Sequence, residues 1–202
     1  MNAPRFRKQT RVRATLPKRS LTGCFRAAGR SLLFGLCLGG AFACRAADEP
    51  FLESQVKAAF LLNFTKFVEW PEAAFEDAHS PIAICVLGDD PFGSALDQMV
   101  EGEVVGGRKL LVRRIKQPPP AKLCQVLFVS AITKDVSKIL ANLERGVLTV
   151  GEVGDNFLRA GGVISFTVED RHVRFDVNQT AAENAGIKLS SRLLRVARLV
   201  EK

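Results

Sequence analysis

Tyrosine is absent from this chain of 202 residues, and histidine (two), methionine (two) and tryptophan (one) are nearly so. Two histidines as far apart as His79 and His172, with few cysteines, cannot supply the ligand set of a zinc site, so no metal is expected. No CxxC pair offers a thiol redox centre. No serine or cysteine near His172 sits in a nucleophile elbow, which leaves a catalytic triad without its attacking group. The glycine spacing of a dinucleotide or phosphate loop is missing too. No catalytic class survives these absences, and neither enzymatic activity nor a cofactor is expected.

Acid is missing from one region. Residues 1–47 hold ten Lys or Arg and no Asp or Glu, and this basic stretch runs into an apolar segment, SLLFGLCLGGAFA (31–43). The segment is too short to span a bilayer but suits the apolar core of a secretory signal, so residues 1–47 read as a signal peptide cleaved near 43–47. Leu21-Thr22-Gly23-Cys24 looks like a lipoprotein box but precedes the apolar run, and Ala41-Phe42-Ala43-Cys44 follows it but lacks the usual leucine, so a mature protein without stable membrane insertion is the better reading. Of the 29 basic residues, 19 remain after the leader against 21 acidic ones, a net of −2 for residues 48–202. The overall charge of +8 therefore belongs to the leader, and nucleic-acid binding, which asks for a strongly basic domain, is not expected.

Export also frames the cysteines. Cys24, Cys37 and Cys44 fall in the leader, leaving Cys85 and Cys124, which in an oxidising compartment predict one structural disulfide. In the chain-entropy picture, closing a loop of that length stabilises by about 4 kcal/mol at most.

What is abundant begins at ESQVKAAFLLNFTKFVEWP (53–71), a helical stretch apolar well beyond one stripe, which Trp70-Pro71 should end. Core packing explains most of it. The excess apolar surface nominates Phe60, Phe64, Phe67 and Trp70 as contacts for a partner or a second copy, while Asn63 within the stripe would need hydrogen-bond partners if buried. PIAICVL (81–87) reads as a strand buried on both faces, the mark of a parallel sheet. Asp90-Pro91 then opens a helix to about Val100, with the aspartates as caps. Strands follow at 108–115, 123–130 and 147–150, with an amphipathic helix over 133–145 and an irregular loop over 151–162. Residues 163–168 and 172–177 alternate about Glu169-Asp170-Arg171 as an antiparallel hairpin. The tail 178–200 is helical, with a break at Gly186. The fold class predicted is α/β: a single, three-layer domain with a mixed, mostly parallel sheet flanked by helices. Arg171, His172 and Arg174 form a small cationic cluster that suits an anionic ligand, although a solvated strand face explains it equally well.

The segments VKAAFLLNFTKFVEWP, ICVLGDDPFG, VLTVGE, GGVISF and HVRFDVNQTAAENAGIKLSSRLLRVAR, in this order and spacing, resemble the YfiR/HmsC family of small periplasmic proteins. The resemblance implies a periplasmic repressor of an inner-membrane diguanylate cyclase, acting on the cyclase's periplasmic region to lower cyclic di-GMP, biofilm and exopolysaccharide. It also implies sequestration by an outer-membrane lipoprotein, a homodimer, and a redox-sensitive disulfide whose first cysteine pair Cys85 and Cys124 match. A second pair found in some members has no counterpart, since residues 157–168 contain no cysteine. The rival expectation is a periplasmic small-ligand sensor or solute-binding module feeding a membrane signalling protein.

Overall fold

The computed structural model describes residues 48–152 and 154–201; the expected signal peptide 1–47 and its cleavage region lie outside them. The apolar opening stretch forms helix α1 (Asp48–Phe67). It stops short of the predicted end because Val68–Glu69 (β1) leaves the helix to pair antiparallel with Lys188–Leu189 (β9). The chain ahead of Pro71 is thereby already extended, as a residue before proline prefers. Ala58, Leu61 and Phe64 are fully enclosed, whereas Asn63 is exposed, which removes the need for a buried amide partner.

Beyond α1 the chain alternates strand and helix: β2 (Ile82–Leu87), α2 (Ser94–Val100), β3 (Val104–Val105), β4 (Arg108–Ile115), β5 (Val126–Val129), α3 (Val136–Ala141), β6 (Leu148–Gly151), α4 (Asp155–Arg159), β7 (Ile164–Glu169), β8 (His172–Asn178), α5 (Gln179–Asn184), β9, α6 (Ser191–Val196) and β10 (Leu199–Glu201). Eight strands form one sheet in the order β10-β8-β7-β6-β5-β2-β4-β3. The run β4-β2-β5-β6-β7 is parallel. It is the doubly wound order, in which the second parallel strand lies on one side of the first and the third on the other. The antiparallel pairs are β3 with β4 and β7 with β8.

Strand alternation sorts the core into two faces. Ile82, Ile84, Val86, Val126, Phe128, Leu148, Val150, Ile164, Phe166, Phe175 and Val177 point to the side covered by α1, α2, α5 and α6. Cys85, Leu87, Leu127, Val129 and Val147 point to the other, under α3 and α4. The result is a three-layer α/β domain with helices on both faces of a mixed, mostly parallel sheet. Cys85 and Cys124 are disulfide-bonded across the neighbouring segments leading through β2 and β5, with Cα atoms 5.8 Å apart.

Several elements differ from their sequence reading. Asp90 caps no helix: its Oδ1 accepts from the backbone N–H of Phe92 and Gly93, and its Oδ2 binds Arg114 at 2.8 Å, so α2 starts only at Ser94. The helix expected over 133–145 shrinks to α3, and the strand expected over 123–130 to β5. The loop 151–162 contains α4, whose Phe157 is enclosed against two glycines. The tail is not one amphipathic helix. After the break at Gly186 it gives β9, α6 and the edge strand β10, because a return to the sheet lets the Arg198 guanidinium reach the fully buried Asp176 of β8, through Nε at 2.8 Å and through Nη2. Pairing of this kind is decided by tertiary contact, not by local periodicity.

Gly162 is explained by packing. A Cβ there would collide with the ring of Phe157, and one at Gly151 would lie 2.5 Å from it. Gly162→Ala is therefore expected to cost about 1–3 kcal/mol through overpacking, read as a lower denaturant midpoint. An unchanged midpoint would mean that Phe157 is free to move aside.

Candidate functional site

Helix α1 crosses the sheet so that its amino-terminal half reaches the tip of the β7–β8 hairpin. Leu52, Val56 and Phe60 recur at four-residue spacing and so share one face of α1. On the hairpin, Val168 pairs directly with Val173 across the strands, and both point to the α1 side of the sheet. Asp170 and Arg171 close the hairpin as a two-residue turn, both with positive φ (49° and 63°), the geometry whose twist matches the strands. That tight turn carries the strands past the cover of α1. An open groove of about 700 Å³ results, walled by Leu52, Val56, Phe60, Val168 and Val173, with Glu53, Asp170, Arg171 and His172 at its rim. Leu52 is 61% and Val168 48% exposed, high values for large apolar side chains lining one groove. The groove lies at the carboxyl edge of the parallel strands, the edge where doubly wound sheets place their binding sites.

One wall is anchored by charge. Lys57, 8% exposed, reaches from α1 to Glu152 just beyond β6 (Nζ–Oε1 2.7 Å) and to Glu53 one turn back (2.5 Å). Burial alone would lower the Lys57 pKa, but hydrogen bonds to Glu152 and Glu53 outweigh it and hold the pKa above the ordinary lysine value. With a raised folded-state pKa, the stabilisation is fully present below the unfolded value, about 10.4, and is lost as pH rises through the folded one. Lys57→Met is therefore expected to lower stability by about 1–3 kcal/mol at neutral pH, because Glu152 is left part-buried and unpaired. The difference from the wild type should shrink in strongly alkaline buffer, which urea unfolding at both pH values measures. A gap that persists unchanged at high pH would show that packing, not charge, holds the helix.

The structure separates residues that the sequence grouped. Arg171 and His172 line the groove, and His172 Nδ1 lies 2.8 Å from the Asp170 carbonyl; a carbonyl can only accept, so this nitrogen carries the proton. Arg174 lies outside the groove, with Glu169 3.8 Å away. Among the aromatic candidates, only Phe60 belongs to the groove. It is half-buried, with ring centroids 5.4 Å from Phe175 and 5.9 Å from Phe64. Phe64 as a partner contact is corrected: it is enclosed on every side, stacked against Phe166 and edge-on to Phe175. Phe67 and Trp70 lie at the opposite end of α1, where Trp70 Nε1 donates to the Gln125 carbonyl at 3.2 Å. Val56 shares the helical spacing of Phe60 in sequence, whereas Leu52, Val168 and Val173 were not singled out; the four-residue spacing from Val56 and the symmetric placement about Asp170-Arg171 were the available signals. Among the described residues no group of three or more His, Cys, Asp or Glu is placed to hold a metal ion, and no helix is long and apolar enough to cross a membrane.

A family model described as YfiR/HmsC-like matches residues 54–198. The chain belongs to the YfiR/HmsC-like family. The matched span runs from Ser54 in α1 to Arg198, so every groove residue except Leu52 and Glu53 lies within the family's own region, as does the disulfide. No curated protein matches this YfiR/HmsC-like chain. Among solved structures it is similar to a conserved domain protein from Vibrio cholerae O1 biovar El Tor str. N16961, with 11% identity and a TM-score of 0.45, over 73% of this chain and 60% of that one. The chain thus spans about 60% of that protein's length, and the likeness carries no functional argument.

Proposed function

We propose that this protein is a periplasmic regulator without catalytic activity, which docks on the periplasmic region of an inner-membrane diguanylate cyclase and represses it, lowering cyclic di-GMP and with it biofilm and exopolysaccharide output. Family membership supports the regulatory role. The observation that carries the docking is the groove between α1 and the β7–β8 hairpin, whose apolar walls are left open by the chain's own fold. An apolar centre with a charged rim is the usual anatomy of a protein contact.

Repression needs no chemistry. A protein that binds the inactive cyclase more tightly than the active one shifts the equilibrium by that preference alone, and about 5.5 kcal/mol would take it from one extreme to the other. Homodimerisation and sequestration by an outer-membrane lipoprotein complete the proposal, each competing for or adding to the same surface. Deleting the gene in a strain that retains a candidate cyclase should raise cyclic di-GMP; unchanged levels would count against repression. The rival reading, a small-ligand sensor, draws on Arg171 and His172 at the groove rim. A small anion that raises the melting temperature, with the effect lost in Arg171→Gln, would favour it.

A further inference from the structure

A second cavity, of about 380 Å³, opens at the other edge of the sheet, where β6 and β7 begin. Four elements meet there: the end of α3 with the turn that follows it, the end of α4, the start of α5, and the strand entrances at Val147 and Val163. Its charged lining is Arg145, Arg159 and Glu144, and its polar lining includes Thr149, Asn178, Thr180 and Asn184. This composition differs from the apolar groove and asks for a different occupant.

Two of the polar side chains are already committed to holding the walls. Thr149 Oγ1 accepts from the Val163 N–H at 2.9 Å, while Asn178 accepts from the Ala181 N–H and donates to the Leu158 carbonyl. They fix the floor and leave the recognition to the cations. Arg145 has no ion-pair partner among the described residues. Its Nε and Nη2 lie 3.3 and 3.4 Å from where a Cβ on Gly186 would stand, which places the guanidinium beside the turn between α5 and β9. The backbone below is held by the Gly146 N–H, which donates to the Ala185 carbonyl at 2.7 Å. Arg159 has one partner, Asp155, at 3.6 Å on the same helix, with both side chains mostly exposed. A pair so exposed is weak, so Arg159 can turn to a better anion at little cost.

We propose that this cavity binds a small oxyanion, a carboxylate- or phosphate-bearing solute, held between Arg145 and Arg159. Arg145 and Arg159 line the cavity from separate elements, and a guanidinium matches the flat, two-oxygen face of such groups. Glu144 on the same lining opposes a highly charged ligand and favours one carrying a single anionic group beside a hydrogen-bonding or cationic one. The site is independent of the docking groove: it lies at the opposite edge of the sheet and shares no residue with it.

The test is thermal unfolding of the purified protein with O-phosphoethanolamine and with β-alanine, each pairing one anionic group with an ammonium, against sodium chloride at matched ionic strength. At least one probe is expected to give a saturable rise in melting temperature beyond the salt control. That rise should weaken at least about tenfold in apparent affinity in Arg145→Gln and in Arg159→Gln, and should persist in Arg171→Gln, which alters only the groove. Which probe responds separates a carboxylate from a phosphate ligand. Circular dichroism of each variant checks that it is folded, and Arg159→Lys keeps the charge should the glutamine variant fail that check. No rise with either probe, or a rise that survives Arg145→Gln, overturns the proposal.

Discussion

Phe64→Ala should destabilise the protein by about 3–5 kcal/mol, while Phe60→Ala one turn earlier should cost clearly less and impair partner binding instead. The two rings belong to one cluster, since both meet Phe166 and Phe175 at centroid distances of 5.1 to 6.1 Å. They differ in what surrounds them. Phe64 is sealed, so its truncation leaves a void between α1 and the sheet that the packed neighbours cannot refill. Phe60 has one side in the cluster and the other in the groove, so water reaches part of the space its removal would open. Equilibrium unfolding in urea gives both numbers. Equal losses would show that the groove side of Phe60 is as tightly packed as the core, and that the groove is no binding surface.

The second large effect concerns the disulfide. Replacing Cys85 and Cys124 together by alanine is expected to cost about 2–4 kcal/mol, measured as a lower guanidinium midpoint against the oxidised protein. Cys85 is fully buried and Cys124 is 2% exposed, at the centre of the face under α3. A soluble thiol reaches such a bond only when the domain opens, so reduction of the native protein should be slow and should track unfolding. Rapid reduction without loss of fold, or labelling of both cysteines in the intact protein without prior reduction, would contradict a structural role.

Much of the architecture was legible because it is local. PIAICVL announces a strand buried on both sides, and the alternation about Glu169-Asp170-Arg171 announces the hairpin that the structure contains. What was not legible is what two distant segments decide together. Val68–Glu69 continues a helical pattern in sequence yet pairs with Lys188–Leu189, and the tail's apolar stripe is divided because Arg198 must meet Asp176. The groove fails for the same reason. Its walls come from α1 and from a hairpin more than a hundred residues later, and Val168 and Val173 look like ordinary strand residues until the turn is seen to carry them past the helix. Grouping Arg174 with Arg171 and His172 followed their nearness in sequence; in the structure Arg174 lies outside the groove, nearest Glu169.

The proposed docking on a cyclase runs through the groove between α1 and the β7–β8 hairpin. Leu52→Asp with Val168→Asp places two charges on exposed groove walls, where the fold itself should be little affected. The decisive measurement is cyclic di-GMP in cells expressing this double variant in place of the wild type, with its secretion and melting temperature checked alongside. The expected result is a folded, secreted protein and cyclic di-GMP as high as in the deletion strain. Cyclic di-GMP held at the wild-type level by that variant would contradict it.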